Sequence, residues 1–588
     1  MANYNWDLTE IYLDDESYNK DFELFKSRIE EFKSFEGKLS DEESLIKLLT
    51  LERDTDILLT RLYTYAQSVA DLDRRSVEAN SREAILTSTL NDFVSAISFI
   101  EPEILSLGKE KMDEFISKHK EFNDFDFTFR KLFDGQSHVL TKDKELLISR
   151  FGPLSGVASD LYSTLSVSDY KPKTIKLGEK EVTVTVSNWR NLIMEAKDAS
   201  EREAIFNALY EYFDERKNTY AEMYHLGLEA QQAVVKARGY KSILDYHLEH
   251  NQIPTSVYRS LVEVASSNTD AIKKYYELRR KALGLTKHRS YDRFLEIANS
   301  ETKVTYEEAK DLFYKSIERF PKEFQDKAHF VSSEGRVDVF PKEGKRSGAY
   351  SNGGEGIKPY ILLNFVGTLD DAFTLAHECG HSIHTMYSIE NQPELKQNYT
   401  IFVAEIASTF NEHNLLDYLL KQPGLSKNDK IALLQKSIDD ILATFYRQTL
   451  FAQFELEISE AFEKGSPINY EVLNNKMAEL YSTYYGIDIN EEKYKPLVWA
   501  YIPHLFYTPF YVYQYATSFA ASLELYSRVN RGEEGAFDKY ISLLKAGGSD
   551  YPINEVKEAG VDLTTKEPFY AVTNRLQELV DELEKLLA

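Results

Sequence analysis

Residues 372 to 388, AFTLAHECGHSIHTMYS, carry His377, Glu378 and His381 in the order His-Glu-x-x-His, a spacing that does its work only on a helix. Four positions make about one helical turn, so both imidazoles project from one face, close enough to share an ion. Glu378 stands beside them, where a carboxylate reaches a water on that ion, and zinc lowers the pKa of such a water to roughly 7. The flanking sequence favours the helix. Thr368 and Asp371 have capping-box spacing, and Asp370 and Asp371 put negative charge on the first turn. Ala372, Ala376, Cys379, Ile383 and Met386 recur at helical spacing and supply a face to bury.

Catalytic zinc sites usually take three protein ligands and a water, so one ligand is still owed. His384 is not expected to be it. The longer metzincin pattern needs Gly at 384 and His at 387, where this chain has His384 and Tyr387. The next helix offers a better candidate. Thr400 to Leu420 is amphipathic, with Phe402, Val403, Ile406, Phe410 and Leu415 as its apolar stripe and Glu405 at the stripe's edge. A carboxylate in that position is costly unless paired or metal-bound. Glu412, seven residues on and on the same face, is a candidate to orient a histidine.

Farther on, WAYIPHLFYTPFYVYQYATSFAAS begins at Trp499, with Thr508 expected as a cap and Pro509 in the first turn of a new helix. On such a helix Tyr511 and Tyr515 share a face. Amide hydrolysis through a tetrahedral intermediate leaves negative charge on the former carbonyl oxygen, and each preorganised donor there is worth about 3 to 4 kcal/mol. His504, Tyr511 and Tyr515 are suitable donors, with Tyr507 a third tyrosine to consider. In a chain with 39 Tyr the plain alternative is an aromatic core helix. His247 and His250, with Asp245 and Glu249 nearby, are expected to sit on a solvated helix and not to form a second metal site.

With 588 residues, 43% of them hydrophobic, the chain can build more than one lobe. A net charge of −26 argues against nucleic acid or an anionic membrane as partner. The single cysteine, Cys379, leaves no intrachain disulfide, and the first residues lack the pattern of a secretory leader, so a cytoplasmic setting is expected. Residues 16 to 120 read as successive helices, the third broken at Glu101-Pro102, and form a wall, lid or plain bundle. Lys173 to Val186 alternates about Gly178-Glu179 as a β-hairpin, placing a seam between an N-terminal lobe, residues 1–195, and a catalytic region, residues 196–588. After helices to about 320, Arg336 to Phe340 alternates again. Gly344 to Gly356 is expected as a mobile hairpin tip, and Lys358 to Val366 as a strand whose exposed edge takes up an extended peptide.

HECGHSIH, the following FVAEIAST, the later HLFYTPFYVYQYA and the upstream RVDVFPKEGKRSGAYS together resemble the thimet-oligopeptidase-like family of zinc peptidases, over most of the chain from about residue 200. The resemblance implies a mainly α fold: two helical lobes flanking a deep channel, with a small β-sheet and a thermolysin-like, gluzincin-type zinc core. It also implies one zinc ion on His377, His381 and Glu405, with Glu378 as general base. His504 and the tyrosines after it match the family's transition-state cluster, but the spacing leaves open whether Tyr511, Tyr515 or Tyr507 is the principal donor. The expected activity is that of a zinc metalloendopeptidase cleaving internal bonds of oligopeptides, without nucleic-acid or membrane partners. A zinc carboxypeptidase on a similar scaffold is the nearest alternative. A non-catalytic peptide binder with structural zinc is another, against which Glu378 speaks, since a structural site needs no base.

Overall fold

Among the described residues helices make up most of the chain, and two small sheets interrupt them. The computed structural model describes residues 3–298 and 302–588. The chain forms two units, each drawn from three stretches of sequence: Met1–Ser137, Thr302–Gln422 and Leu525–Val561 in the first, and His138–Glu301, Pro423–Glu524 and Asp562–Ala588 in the second. The boundary expected near residue 195 therefore falls inside the second unit, and the first 137 residues group with Thr302–Gln422 and Leu525–Val561.

The reason lies in the core of the first unit. Its sheet consists of β3 (Val337–Asp338), β4 (Tyr350–Gly354) and β5 (Ile357–Leu362), in the order β3-β5-β4. Ile357, Tyr360 and Leu362 of β5 bury against Trp6, Ile11, Leu48, Leu62 and their neighbours. Trp6 Nε1 donates to the Ile361 carbonyl at 2.8 Å, and the Tyr360 hydroxyl donates to the Asp7 carbonyl at 3.0 Å. Asp71, near the end of the helix Glu42–Leu72, accepts from the Tyr350 hydroxyl at 2.7 Å at the start of β4. The N-terminal helices are thus the support behind this sheet. Their expected break is a helix start: Val77–Ile97 ends, and Pro102 sits in the first turn of Ile100–Leu107, where its missing N–H would have had no helical partner.

The sheet corrects two expectations. β5, expected to present an edge, is the central strand, parallel to β3 (Val337 opposite Ile361) and antiparallel to β4 (Ser351 opposite Ile361). Among the described residues the strand paired on one side only, and adjoining the histidine helix, is β4. It lies within the glycine-rich stretch expected to be a hairpin tip. Glycine there serves close approach: a Cβ on Gly353 would stand 2.7 Å from the Pro359 Cα of β5.

Among the described residues the second unit is helical apart from the hairpin of β1 (Lys173–Leu177) and β2 (Lys180–Val184), which turns through Gly178 at φ 60° as the alternation predicts. Its core is rich in large aromatics, with Tyr210, Tyr258, Tyr484 and Trp499 fully buried. Among the described residues no helix is long and apolar enough to cross a membrane.

Candidate active site

The histidine helix runs over Leu369–Asn391 and begins as its sequence dictates. The Thr368 hydroxyl accepts from the Asp371 amide at 3.2 Å, and the Asp371 carboxylate accepts from the Thr368 amide at 2.7 Å. Ala372, Ala376, Cys379 and Ile383 are fully buried along one face, and burial pushes the Cys379 thiol far above its ordinary pKa, so it acts as a small apolar side chain.

The neighbouring glutamate helix, Ile401–Leu420, comes into backbone contact with it. A Cβ on Gly380 would lie 2.5 Å from the Ala407 carbonyl oxygen and 2.6 Å from the Ser408 Cα. Gly380 therefore sets the interhelix distance, and Asn411 Nδ2 donates across it to the Ala376 carbonyl at 3.2 Å. No motif or periodicity in the sequence singles out Gly380. The available signal was a glycine inside an otherwise strong helix, which costs about 1 kcal/mol relative to alanine and so asks for a packing reason.

At this distance Glu405 reaches the histidines. His377 Nε2 and His381 Nε2 are 3.2 Å apart, and Glu405 Oε2 lies 3.4 Å from the first and 3.5 Å from the second. Ligands at about 2.0–2.1 Å from a tetrahedral ion stand about 3.3–3.4 Å from one another, so the triangle has the dimensions of three ligands on one zinc-sized cation. It is the group of side chains among the described residues that could hold a metal. Ser408 Oγ donates to the same Glu405 oxygen at 2.8 Å. Burial works against ionisation of Glu405, but the His381 hydrogen bond and the two histidine charges prevail and hold its carboxyl down at about 2.

Glu412 hydrogen-bonds His377 Nδ1. A carboxylate only accepts, so Nδ1 carries a proton, and Nε2 is the nitrogen that faces Glu405. Burial alone would depress the His377 pKa; the Glu412 bond and charge, followed by Glu378 and Glu405, raise it to about 9. Glu378 is 5% exposed and its Oε2 has no protein partner. Burial raises its pKa, against the pull of His377 and His381, so it is a carboxylate disposed to take a proton. His384, one turn past His381, faces elsewhere. It is fully buried and stacked on Tyr399 with ring centres 3.6 Å apart, and burial lowers its pKa to about 3.

The site opens into a cleft of about 490 Å³ lined by His377, Glu378, His381 and Glu405 on one side and by β4 from Tyr350 to Gly354 on the other. Ser351 of β4 and Ser382 of the histidine helix share a 2.8 Å hydrogen bond between their hydroxyls, tying strand to helix.

His504, Tyr511 and Tyr515 belong to the second unit and form a cluster of their own. The rings of His504 and Tyr511 are parallel with centres 6.2 Å apart, and Tyr515 stands edge-on to both, at 6.5 and 5.5 Å. Burial lowers the His504 pKa, which keeps the ring neutral. Tyr507 is 42% exposed and stands edge-on to Tyr162, apart from the three. The helix expected from Pro509 starts instead at Tyr513, because residues 508–511 form a turn closed by the Tyr511 amide on the Thr508 carbonyl at 3.2 Å. Thr508 is the C-cap of the short helix His504–Tyr507. His247 is packed and not solvated: its Nε2 lies 2.7 Å from Gln231 Oε1 and its ring stacks on Phe510.

Comparison with known proteins adds a relationship to this geometry. Residues 192–574 match the model of peptidase family M3, and residues 103–171 match that of oligopeptidase F. The group B oligopeptidase PepB of Streptococcus agalactiae is 34% identical over 100% of this chain and 97% of its own length. The oligopeptidase PepF of Bacillus subtilis is likewise 34% identical, over 100% of this chain and 88% of its own. Among solved structures, a putative peptidase from Chlamydophila abortus superposes with a TM-score of 0.87 at 32% identity, covering 99% of this chain and 98% of that one. Oligoendopeptidase-F from Enterococcus faecium does so with a TM-score of 0.77 at 27% identity, covering 97% and 99%.

Proposed function

The chain belongs to peptidase family M3, and on that premise we propose that it is a zinc-dependent endopeptidase hydrolysing internal bonds of short oligopeptides. The observation that carries this reading is the 3.2 to 3.5 Å triangle of His377, His381 and Glu405 with the unpartnered carboxylate oxygen of Glu378 next to it. The donor set fits zinc: two imidazole nitrogens and one carboxylate oxygen, with one imidazole fixed from behind by Glu412. When bound there, zinc supplies Lewis acidity, polarising a carbonyl and lowering the pKa of a water to roughly 7.

The chain's own residues do the rest. The outer edge of β4 pairs with the backbone of an extended peptide and lays it along the cleft. Glu378 takes a proton from the attacking water and passes it to the leaving amine, which its raised affinity for protons favours. His504, neutral, and the Tyr511 and Tyr515 hydroxyls are assigned as hydrogen-bond donors to the developing oxyanion. The names of the relatives support peptides as substrates. The net charge of −26 and the lone buried Cys379 accord with action in the cytoplasm, away from nucleic acid and membranes.

A length series of internally quenched peptides with blocked C-termini, with products mapped by mass spectrometry, tests the reading. Cleavage at internal bonds, abolished by chelator and restored by zinc, is expected. Release of C-terminal residues from unblocked peptides only would make the chain a carboxypeptidase, and stoichiometric zinc without hydrolysis a binder.

A further inference from the structure

Phe510 is one of three described non-glycine residues with positive φ, at 58°. It occupies the third position of the turn Thr508-Pro509-Phe510-Tyr511, closed by the Tyr511 amide on the Thr508 carbonyl. Proline in second place and a left-handed third residue describe a type II turn, in which the third position ordinarily takes glycine or asparagine. A phenylalanine stays there only if its surroundings hold it.

Two things hold it. The buried ring stacks on His247, with centres 5.0 Å apart, and leans on Tyr258 at 5.7 Å. Its amide, which the closing bond of the turn does not use, donates to Glu455 Oε1 at 2.7 Å. Glu455 comes from a different helix, Arg447–Glu463, and is 2% exposed among Tyr224, Tyr258 and the Phe510 turn. Burial raises its pKa to about 8, against the Phe510 hydrogen bond, so the carboxyl stands in the core at an energetic cost. An acidic side chain sunk in an aromatic core and joined to the one strained backbone amide of the turn has a specific job.

That job follows from what the turn connects. Before it lies the short helix bearing His504, and after it the helix from Tyr513. Phe510, Val512 and Tyr513 are buried, with Tyr513 packed on Tyr258 at 4.9 Å, whereas Tyr511 and Tyr515 are partly exposed. The sign of φ at Phe510 decides which of these neighbours point inward.

We propose that Glu455 is a positioning residue for the His504, Tyr511 and Tyr515 cluster: by accepting the Phe510 amide it holds the turn left-handed and directs the two tyrosine hydroxyls out of the core. The proposal rests on the assignment of that cluster to the oxyanion. In this role Glu455, 2% exposed, does not itself act on the substrate. It acts through the turn.

The test compares Glu455→Gln, which keeps a carbonyl acceptor, with the volume-matched apolar variants Glu455→Met and Glu455→Leu, each alone and combined with Tyr511→Phe/Tyr515→Phe. Removing the acceptor is expected to lower kcat about 10²-fold, as small misplacements of catalytic groups do, with little change in KM. Glu455→Gln should retain kcat to within about threefold, and the apolar change should cost little more once both tyrosine hydroxyls are gone, since groups acting as a unit do not add. Zinc content and thermal unfolding are followed alongside. If Tyr511→Phe/Tyr515→Phe itself keeps full activity, the oxyanion assignment fails and the proposal with it. The proposal alone is overturned if the double tyrosine variant is crippled while a folded apolar variant keeps kcat, if the losses simply multiply, or if Glu455→Gln is as impaired as the apolar variants. Folding of Glu455→Gln with failure of both apolar variants to fold would make Glu455 a structural group and also overturn it.

Discussion

Replacing Glu412 with leucine removes the acceptor behind His377 while leaving all three proposed ligands in place. In the metal-free protein the His377 pKa stands at about 9 against an ordinary 6.5, with burial opposing and Glu412 the leading favourable partner. Two and a half pH units correspond to about 3 kcal/mol of preference for the protonated ring, shared among Glu412, Glu378 and Glu405. Two consequences for zinc affinity then oppose each other. Without Glu412 the ring is a weaker, less oriented ligand, and losses of such supporting carboxylates run to about 10–100-fold, or about 1.4–2.7 kcal/mol. At neutral pH, however, the wild-type ring must first surrender a proton that Glu412 helps it keep. The sign therefore depends on pH. Wild-type affinity is expected to climb as pH rises toward 9 and then level off. The Glu412→Leu variant, its ring pulled down by burial, should level off at lower pH. Above about pH 9 the proton no longer competes and the full 10–100-fold deficit should appear, narrowing toward pH 7. Competition with a chromophoric chelator across pH 6.5 to 9.5 measures this, with circular dichroism as a check on folding. Identical pH profiles, with affinities within about threefold at the alkaline end, would refute the reasoning.

Gly380→Ala puts a methyl group against the Ala407 and Ser408 backbone. It should cost about 1–3 kcal/mol in stability and weaken zinc binding by parting Glu405 from the histidines, and unchanged metal affinity would contradict the spacing role. His384→Phe addresses acid stability. The buried ring titrates near 3, with burial the leading cause, whereas the unfolded-state histidine protonates near 6.5. The unfolded state therefore takes up a proton that the folded state refuses, and stability drains as pH falls below 6.5, by up to about 1.4 kcal/mol per unit. Phenylalanine can keep the stack on Tyr399. Urea unfolding at pH 7 and pH 4.5 should show a smaller acid loss for the variant, and equal losses would count against it.

What could be read in the sequence was what local periodicity encodes. The Thr368/Asp371 cap, the buried face from Ala372 to Met386, the β1–β2 hairpin and the buried apolar stripe of the glutamate helix are each fixed by residues within a turn or two of one another, although that helix, expected to be amphipathic, has no exposed residue. Long-range packing was not written there. Trp6 and Tyr360 are joined through bonds to backbone hundreds of residues away, so the N-terminal helices looked like a separate lobe. Strand order within the sheet depends on pairing that neither Tyr350–Gly354 nor Ile357–Leu362 specifies alone, so the more apolar of the two reads as an edge although it lies at the centre. The same limit hid Gly380, whose reason is a backbone on another helix, and the Phe510 turn, whose left-handed residue is held by a carboxylate 55 positions away.

The central claim is that Glu378 moves the proton at a zinc centre held by His377, His381 and Glu405. Its most direct measurement is the turnover of an internally quenched oligopeptide by Glu378→Gln, alongside zinc content by atomic emission. The account predicts one zinc per chain, as in the unaltered protein, and a turnover lowered by at least about 10²–10⁴-fold, the usual contribution of a positioned base. A zinc-loaded glutamine variant that still cleaves at a comparable rate would contradict it.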